Sequence, residues 1–203
     1  PGDKSITHRA YILGALSEGL TEVGEPLRAG DTDNTLRAVK ALGIMVQDQA
    51  ERVLIQGHGP MSLTEPENLL DFGNSGTGVR LMAGVLASRP FLSVLTGDAS
   101  LRKRPMDRIA HPLRLMGAQV DGRADGKLLP LIIRGGGLSG IRYASPVASA
   151  QIKSCVLLAA LGARGTTQFE EPSRSRDHTE RMLQAMGITI GLDQGRLVME
   201  GGQ

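Results

Sequence analysis

Three segments of the sequence place hydroxyl and amide side chains close to lysine or arginine. The residues are Lys4, Ser5, Thr7 and Arg9 in the first segment, Asn74, Ser75, Gly76, Thr77 and Arg80 in the second, and Ser149, Gln151 and Lys153 in the third. Hydroxyls and amides donate hydrogen bonds to oxyanions, while ammonium and guanidinium groups supply the opposite charge. This combination predicts a site for phosphate or carboxylate groups.

Two further basic clusters could contribute to such a site. One is the run 102–104 in RKRP, and the other is formed by Arg174 and Arg176. A basic run is more often a solvated surface, and a Lys-Ser pair at a helix start is more often an ordinary cap. Each segment alone is therefore a weak signal, but their recurrence at equivalent places in a repeat makes the joint case stronger.

Each of the three segments opens a predicted helix that is rich in small and apolar residues. The helices read KSITHRAYILGALSEG, NSGTGVRLMAGVLAS and SAQIKSCVLLAALGARG. Ser, Asn or Thr near each start can cap free backbone N–H groups, and the apolar run suits a buried helix. A helix N-terminus attracts anions through its unpaired N–H groups and its dipole. Three such starts side by side would form one anion pocket.

The three helices belong to a repeat that runs through the whole chain. Its markers are Gly43, Gly117 and Gly187, which are 74 and 70 residues apart and follow the helical patterns KALG, LRLMG and LQAMG. Glycine after a helix is a usual stop signal, because it tolerates a left-handed conformation. Each unit reads as helix, strand, amphipathic helix and two strands, and a further strand fits before each first helix.

These units predict a single α/β (α+β) domain with pseudo-threefold symmetry over residues 1–203. The repeats would occupy about 1–65, 66–140 and 141–203, and the parallel first helices would be buried against one another. A unit of this size with so few aromatic residues is marginal alone, so we expect one domain and not three.

Composition argues against several classes of function. The net charge of +2 is too small to indicate nucleic acid or a membrane surface as a partner, and no apolar stretch approaches the ~20 residues of a membrane span. The four histidines show no ligand spacing, the single Cys155 cannot build a thiolate site, and no GxxxxGK[ST] motif occurs. We expect no metal, no cofactor and, because an unpaired cysteine fits a reducing compartment, a cytoplasmic location.

Four segments together resemble the enolpyruvyl transferase family, and within it the EPSP synthases (3-phosphoshikimate 1-carboxyvinyltransferases). PGDKSITHRA resembles the signature that opens with Pro-Gly and has Lys-Ser before an Arg, and GNSGTGVR resembles the Asn-x-Gly-Thr segment that ends in Arg. SLRKRPM resembles the basic loop that ends in Arg-Pro, and SAQIKS resembles the Ser-x-Gln element. The matches follow the family's order and spacing over the whole chain, so their combination is specific.

The resemblance implies a fold of two similar domains, each built from three βαβαββ units, with the substrates in the cleft between them. This chain would be the N-terminal, shikimate-3-phosphate-binding half, and its partner would be the C-terminal domain of the same enzyme. The reaction transfers the enolpyruvyl group of phosphoenolpyruvate to the 5-hydroxyl of shikimate 3-phosphate in aromatic amino-acid biosynthesis by the shikimate pathway.

The resemblance also implies roles for individual residues. Lys4 would be catalytic through proton transfer and would contact both substrates, while Asn74 and Thr77 would shape a helix start. Gly76 would let the backbone approach phosphoenolpyruvate and is the residue associated with sensitivity to glyphosate. The implied shikimate-3-phosphate site is Lys4, Ser5, Arg9, Ser149, Ala150, Gln151 and Arg176, and the implied phosphoenolpyruvate site is Lys4, Gly76, Arg104 and Gln151.

The sequence departs from the family pattern at two positions. Asp3 stands where Ser is common and would cap the first helix, and Ala150 lacks a hydroxyl that many members have. The family's acidic catalytic residues and several arginines belong to the other domain. We therefore expect the isolated chain to bind shikimate 3-phosphate weakly and to have no useful turnover.

Two alternatives stay open. A related transferase acts on UDP-N-acetylglucosamine, but its signature pairs the first Lys with Asn and carries a Cys in the basic loop, whereas Ser5 follows Lys4 here and LRKRP has no Cys. A non-catalytic anion-binding domain of the same fold is the second alternative, since essential chemistry lies in the absent half.

Overall fold

The chain folds into three successive α/β units, each with one sheet and at least two helices. The computed structural model describes residues 2–202. The first unit contains α1 (Lys4–Leu16), β1 (Glu18–Gly24), α2 (Gly30–Ala41), β2 (Met45–Asp48) and β3 (Arg52–His58). The second contains β4 (Leu70–Asp71), α3 (Gly76–Ala87), β5 (Leu92–Thr96), α4 (Asp107–Leu115), β6 (Gln119–Gly122), the single turn α5 (Arg123–Gly126) and β7 (Leu128–Arg134). The third contains β8 (Arg142–Ala144), α6 (Ala150–Ala160), β9 (Thr166–Glu170), α7 (His178–Ala185), β10 (Ile190–Asp193) and β11 (Arg196–Glu200).

The three sheets share one topology. The last strand of each unit, β3, β7 or β11, lies between two antiparallel neighbours, giving the orders β1-β3-β2, β5-β7-β6 and β10-β11-β9. A short strand precedes the first helix in two units, where β4 joins β5 and β8 joins β9 in parallel. The predicted α/β class is therefore found, and the βαβαββ order is found in the second and third units, while the first unit has the order αβαββ within residues 2–202. The predicted residue bounds of the three repeats stay a prediction.

The first helix of each unit is the most deeply buried. Every residue of α3 except Thr77 and Arg80 is buried, and nine of the eleven residues of α6 are buried. A Cβ on Gly84 would lie 2.2 Å from the carbonyl oxygen of Cys155, so glycine is what allows α3 and α6 to pack this closely. The core around them is almost entirely aliphatic, as the scarcity of aromatic residues predicts.

The second helix of each unit ends where its glycine predicts. Gly43, Gly117 and Gly187 follow α2, α4 and α7 with φ of 88°, 108° and 91°, a left-handed conformation that favours glycine. Two predicted helix ends are wrong. The pattern SAQIKSCVLLAALGARG extends to Gly165, whereas α6 ends at Ala160. The helical pattern KSITHRAYILGALSEG extends to Gly19, whereas α1 ends at Leu16 and β1 begins at Glu18, because Glu18 and Gly19 pair with His58 and Gly57 of β3.

Candidate functional site

The N-terminal turns of α1 and α3 lie against each other through a buried histidine. His8 Nδ1 is 2.8 Å from the hydroxyl of Thr35 on α2, and His8 Nε2 is 3.5 Å from the hydroxyl of Ser75, the N-cap of α3. Burial lowers the pKa of His8 to about 4, with the charges of Lys4 and Arg9 acting in the same direction and Asp31 opposing them. His8 is therefore neutral near pH 7 and joins two helix starts by hydrogen bonds.

The N-terminal turns of α3 and α6 are joined by a glutamine. Gln151 Nε2 donates to Thr77 Oγ1 at 3.0 Å, and Gln151 Oε1 accepts from Arg80 Nη1 at 2.8 Å. Arg80 also donates to the carbonyl oxygen of Pro105 at 2.9 Å, next to the basic loop. The side-chain amide of Gln151 is thereby held in one orientation at the start of α6.

Arg9 completes the ring of contacts by joining α1 to α6 and α7. Its guanidinium donates to Thr179 Oγ1 at 2.6 Å, to Ser154 Oγ at 2.8 Å and to the carbonyl oxygen of Ser5 at 2.8 Å. Arg9 is 3% exposed. Three of the five guanidinium N–H groups thus have acceptors, and within residues 2–202 the other two have none, which leaves them for a ligand. The three helix starts therefore meet in one place, as the repeat predicts.

The three starts differ in the charge of the side chains that cap them. Asp3, Ser75 and Ser149 are the N-caps and accept from the backbone N–H groups of Ile6, Gly78 and Ile152 at 2.9, 3.1 and 3.4 Å. The first turns of α1, α3 and α6 contain no acidic residue, whereas those of α2, α4 and α7 do. Asp3 places a carboxylate at the N-cap of α1, so the positive ends of α3 and α6, which neutral serines cap, are the ones most available to an anion. The predicted cap at Asp3 is found.

A cluster of arginines faces the start of α3. A Cβ built on Gly76 would lie 3.0 Å from Arg104 Nη1 and 3.1 Å from Arg80 Nη1. Arg104 Nη2 also donates to Asn74 Oδ1. Burial lowers the pKa of Arg80, and the charges of Arg104 and Arg108 lower it further. An anionic ligand at Gly76 would supply the missing counter-charge.

Lys4 lies at the rim of the site. Its Nζ is 2.9 Å from Asp31 Oδ2, and its side chain is 50% exposed. An exposed pair of this kind contributes only ~0–1 kcal/mol, so the ammonium can exchange this partner for a ligand at low cost. No local pattern in the sequence indicates Asp31 as its partner, because the two residues lie on different helices.

The remaining predicted residues border the same place. Ser5, Ser149, Ala150 and Gln151 are half-buried at the starts of α1 and α6, and Arg176 is exposed on the loop between β9 and α7. Burial is the main cause that lowers the pKa of Arg9. The charge of Glu180 opposes this effect, and the charge of Arg176 adds to it, so Arg176 lies within electrostatic reach of Arg9. Sequence reasoning did not assign the supporting contacts of His8, Arg80, Ser154 and Thr179, although all four occur in or beside the motifs.

Two other features of the described chain bear on function. Within residues 2–202, no helix combines the length and the apolar character that crossing a membrane would need. The same residues contain no group of three or more His, Cys, Asp or Glu side chains that could hold a metal ion.

Known proteins with similar sequences or structures share one description. The family model for EPSP synthase (3-phosphoshikimate 1-carboxyvinyltransferase) matches residues 1–203. The 3-phosphoshikimate 1-carboxyvinyltransferases of Brevibacillus brevis and Bacillus subtilis are 53% and 52% identical to the whole chain, which covers 48% and 47% of their lengths. An EPSP synthase structure from Acinetobacter baumannii is 46% identical, with a TM-score of 0.96 over the whole chain and 46% of its own length.

These comparisons confirm the predicted fold class and the resemblance. The chain spans about half the length of the curated relatives it matches. It belongs to the EPSP synthase (3-phosphoshikimate 1-carboxyvinyltransferase) family.

Proposed function

We propose that this chain is the shikimate-3-phosphate-binding half of a 3-phosphoshikimate 1-carboxyvinyltransferase. The enzyme would transfer the enolpyruvyl group of phosphoenolpyruvate to the 5-hydroxyl of shikimate 3-phosphate, with release of phosphate, in the shikimate pathway. The observation that carries the proposal is the meeting of three helix N-termini, none with an acidic residue in its first turn, among lysine and arginine side chains. Both substrates are polyanions, and such a site favours them over neutral analogues.

The phosphoenolpyruvate subsite is proposed at the start of α3. Gly76 has no side chain, so a ligand can approach the backbone where the guanidinium groups of Arg80 and Arg104 converge. Arg104 would pair with the phosphate of phosphoenolpyruvate, and Gln151, held by Arg80 and Thr77, would present its amide to the same ligand. Lys4 would contact both substrates from the rim and take part in proton transfer as the catalytic residue.

The shikimate-3-phosphate subsite is proposed between the starts of α1 and α6. The two free N–H groups of Arg9 would bind the carboxylate, and Ser5 would bind a ring hydroxyl. The hydroxyl of Ser149 caps α6 through its oxygen and keeps its own proton to donate to phosphate. Because Ala150 offers only its backbone N–H, Arg176 would supply the remaining phosphate contact.

The proposal includes the partner that completes the site. Because the chain covers about half of its curated relatives, a second domain would supply the acidic catalytic residues, and this chain alone would bind substrate without useful turnover. A cytoplasmic location is also part of the proposal and is supported by the single thiol of Cys155, which is buried and free.

Titration of the chain with shikimate 3-phosphate, followed by NMR of backbone amides, tests the proposal. Unphosphorylated shikimate is the matched control ligand. We expect shifts at Ser5, Arg9, Ser149, Gln151 and Arg176 that are larger with the phosphorylated ligand. Absence of shifts both in the chain alone and after addition of the second half of the Bacillus subtilis relative would overturn the proposal and favour a different anion-binding role. Turnover by the chain alone would contradict the proposed division of labour.

A further inference from the structure

The loop between β9 and α7 is fixed through a single serine. Residues 171–177 have no regular structure and carry Arg174 and Arg176 on the surface. The backbone N–H of Ser175 donates to Glu171 Oε1 at 2.9 Å, and the hydroxyl of Ser175 donates to Glu171 Oε2 at 2.7 Å. Both oxygens of one carboxylate therefore hold the residue that immediately precedes Arg176.

A buried lysine ties this carboxylate to the centre of the site. Lys153 Nζ is 3.0 Å from Glu171 Oε1, 2.7 Å from Glu180 Oε1 and 3.4 Å from the carbonyl oxygen of Ser175. Its side chain is 3% exposed, and it lies on α6 two residues after Gln151. One ammonium group thus joins the first turns of α6, the loop and α7.

The network places two basic side chains, Lys153 and Arg9, against two carboxylates, Glu171 and Glu180. Burial raises the pKa of Glu171, but hydrogen bonds from Ser175 and the nearby Lys153 outweigh this effect and hold the pKa below its usual range. Glu180 also faces Arg9, where its charge opposes the lowering of the pKa of Arg9 by burial. Buried ion pairs stabilise a fold little more than apolar side chains of the same size. What this network does that apolar side chains could not do is to hold the loop between β9 and α7 in a defined position.

The loop between β9 and α7 borders open space. A cavity of about 400 Å³ lies against it, lined by side chains that include Arg174, Glu180, Arg181 and Leu192. Because this space and not packed side chains lies behind the loop, its position depends on the hydrogen bonds that Ser175 donates to Glu171 and accepts from Lys153.

We propose that Glu171 and Lys153 are positioning residues that hold the loop so that the guanidinium of Arg176 reaches the phosphate of shikimate 3-phosphate. The inference rests on the proposed function, in which Arg176 binds that phosphate. It adds two residues that touch no substrate and would act only through Arg176. Their effect would therefore depend on the phosphate group of the ligand and on the presence of the arginine.

Glu171→Gln tests the proposal in the 203-residue chain, with dissociation constants measured by calorimetry for shikimate 3-phosphate and shikimate. The amide keeps the size of the side chain but loses one acceptor for Ser175 and the charge for Lys153. We expect affinity for shikimate 3-phosphate to fall about tenfold, with little change for shikimate. Glu170→Gln is the matched control, since Glu170 is half-exposed, bonds to Arg196 at 3.1 Å and should leave both affinities unchanged.

A double-mutant cycle with Arg176→Ala separates positioning from a general structural effect. We expect Glu171→Gln to cause no further loss once Arg176 is absent. Amide hydrogen exchange should become faster at Ser175 and stay unchanged in 154–160 of α6, which shows that the fold is intact. Ser175→Ala, which removes one hydrogen bond only, is the second variant should Glu171→Gln fail to fold.

The outcomes distinguish this proposal from the proposed function. A wild-type chain that binds both ligands equally would overturn the function and the positioning with it. A clear preference for the phosphorylated ligand that survives both Glu171→Gln and Ser175→Ala would overturn the positioning alone. The same holds if the loss of affinity caused by Glu171→Gln adds fully to the loss caused by Arg176→Ala.

Discussion

Gln151 on α6 donates a hydrogen bond from Nε2 to Oγ1 of Thr77 on α3 at 3.0 Å, across 74 residues of sequence. The contact joins the first turns of two helices from different units, and Arg80 fixes the other end of the same amide. The two proposed subsites therefore share a side chain whose orientation is set by the protein before a ligand arrives. Such preorganisation reduces the cost of ordering the site on binding.

Gln151→Ala is expected to weaken binding of shikimate 3-phosphate about tenfold and to lower the free energy of unfolding by about 1 kcal/mol. Both effects follow from the loss of its hydrogen bonds to Thr77 and Arg80. Calorimetric titration and urea denaturation measure them. Gln119→Ala, on the exposed surface of β6, is the control. Equal binding by Gln151→Ala and wild type would show that the amide plays no part in the site.

Gly76→Ala is expected to raise the KM for phosphoenolpyruvate about tenfold and to relieve inhibition by glyphosate. The added methyl group would lie 3.0 Å from Arg104 Nη1 and 3.1 Å from Arg80 Nη1, so both guanidinium groups must move by a few tenths of an ångström. Steady-state kinetics of the chain combined with the second half of the Bacillus subtilis relative measure the change. Gly24→Ala, where a Cβ meets no atom within 4 Å, should behave as wild type. Identical inhibition of wild type and Gly76→Ala would contradict the assignment.

His8 is expected to make the stability of the chain fall between pH 6.5 and about 4. Burial lowers the pKa of His8 to about 4 from its usual 6.5, so the unfolded chain binds a proton in this window that the folded chain does not. The loss is roughly 3 kcal/mol once both states are protonated, and none of it is present above pH 6.5. Urea denaturation at several pH values should show a shallower decline for His8→Asn. Parallel curves for the two proteins would mean that another group causes the decline.

Gly84→Ala is expected to destabilise the fold by about 3 kcal/mol. Its Cβ would lie 2.2 Å from the carbonyl oxygen of Cys155, which forces α3 and α6 apart. Denaturant titration gives the free energy of unfolding. Gly191→Ala serves as the matched control, because a Cβ there meets no atom within 4 Å and the backbone is not left-handed. A loss no larger than that of the control would show that the two helices can separate freely.

Local features of the sequence determined the architecture and the composition of the site. Helices, strands and stop signals are readable because amphipathic periodicity and the left-handed tolerance of Gly43, Gly117 and Gly187 act over a few residues. The caps at Asp3, Ser75 and Ser149 are equally local. The repetition of these signals predicts that the three helix starts lie together.

Only the tertiary structure decided how the site's charges are partnered. Lys4 pairs with Asp31, Arg80 orients Gln151, and Arg9 reaches Thr179, across 27, 71 and 170 residues of sequence. No local pattern specifies such partners, because they depend on which helix faces pack together and on how deeply each charge is buried. Packing also decided that Lys153 is a buried link to Glu171 and not a ligand at the mouth of the site. Charge burial and hydrogen-bond geometry are properties of the assembled domain, so they follow from the fold and not from the order of residues within a motif.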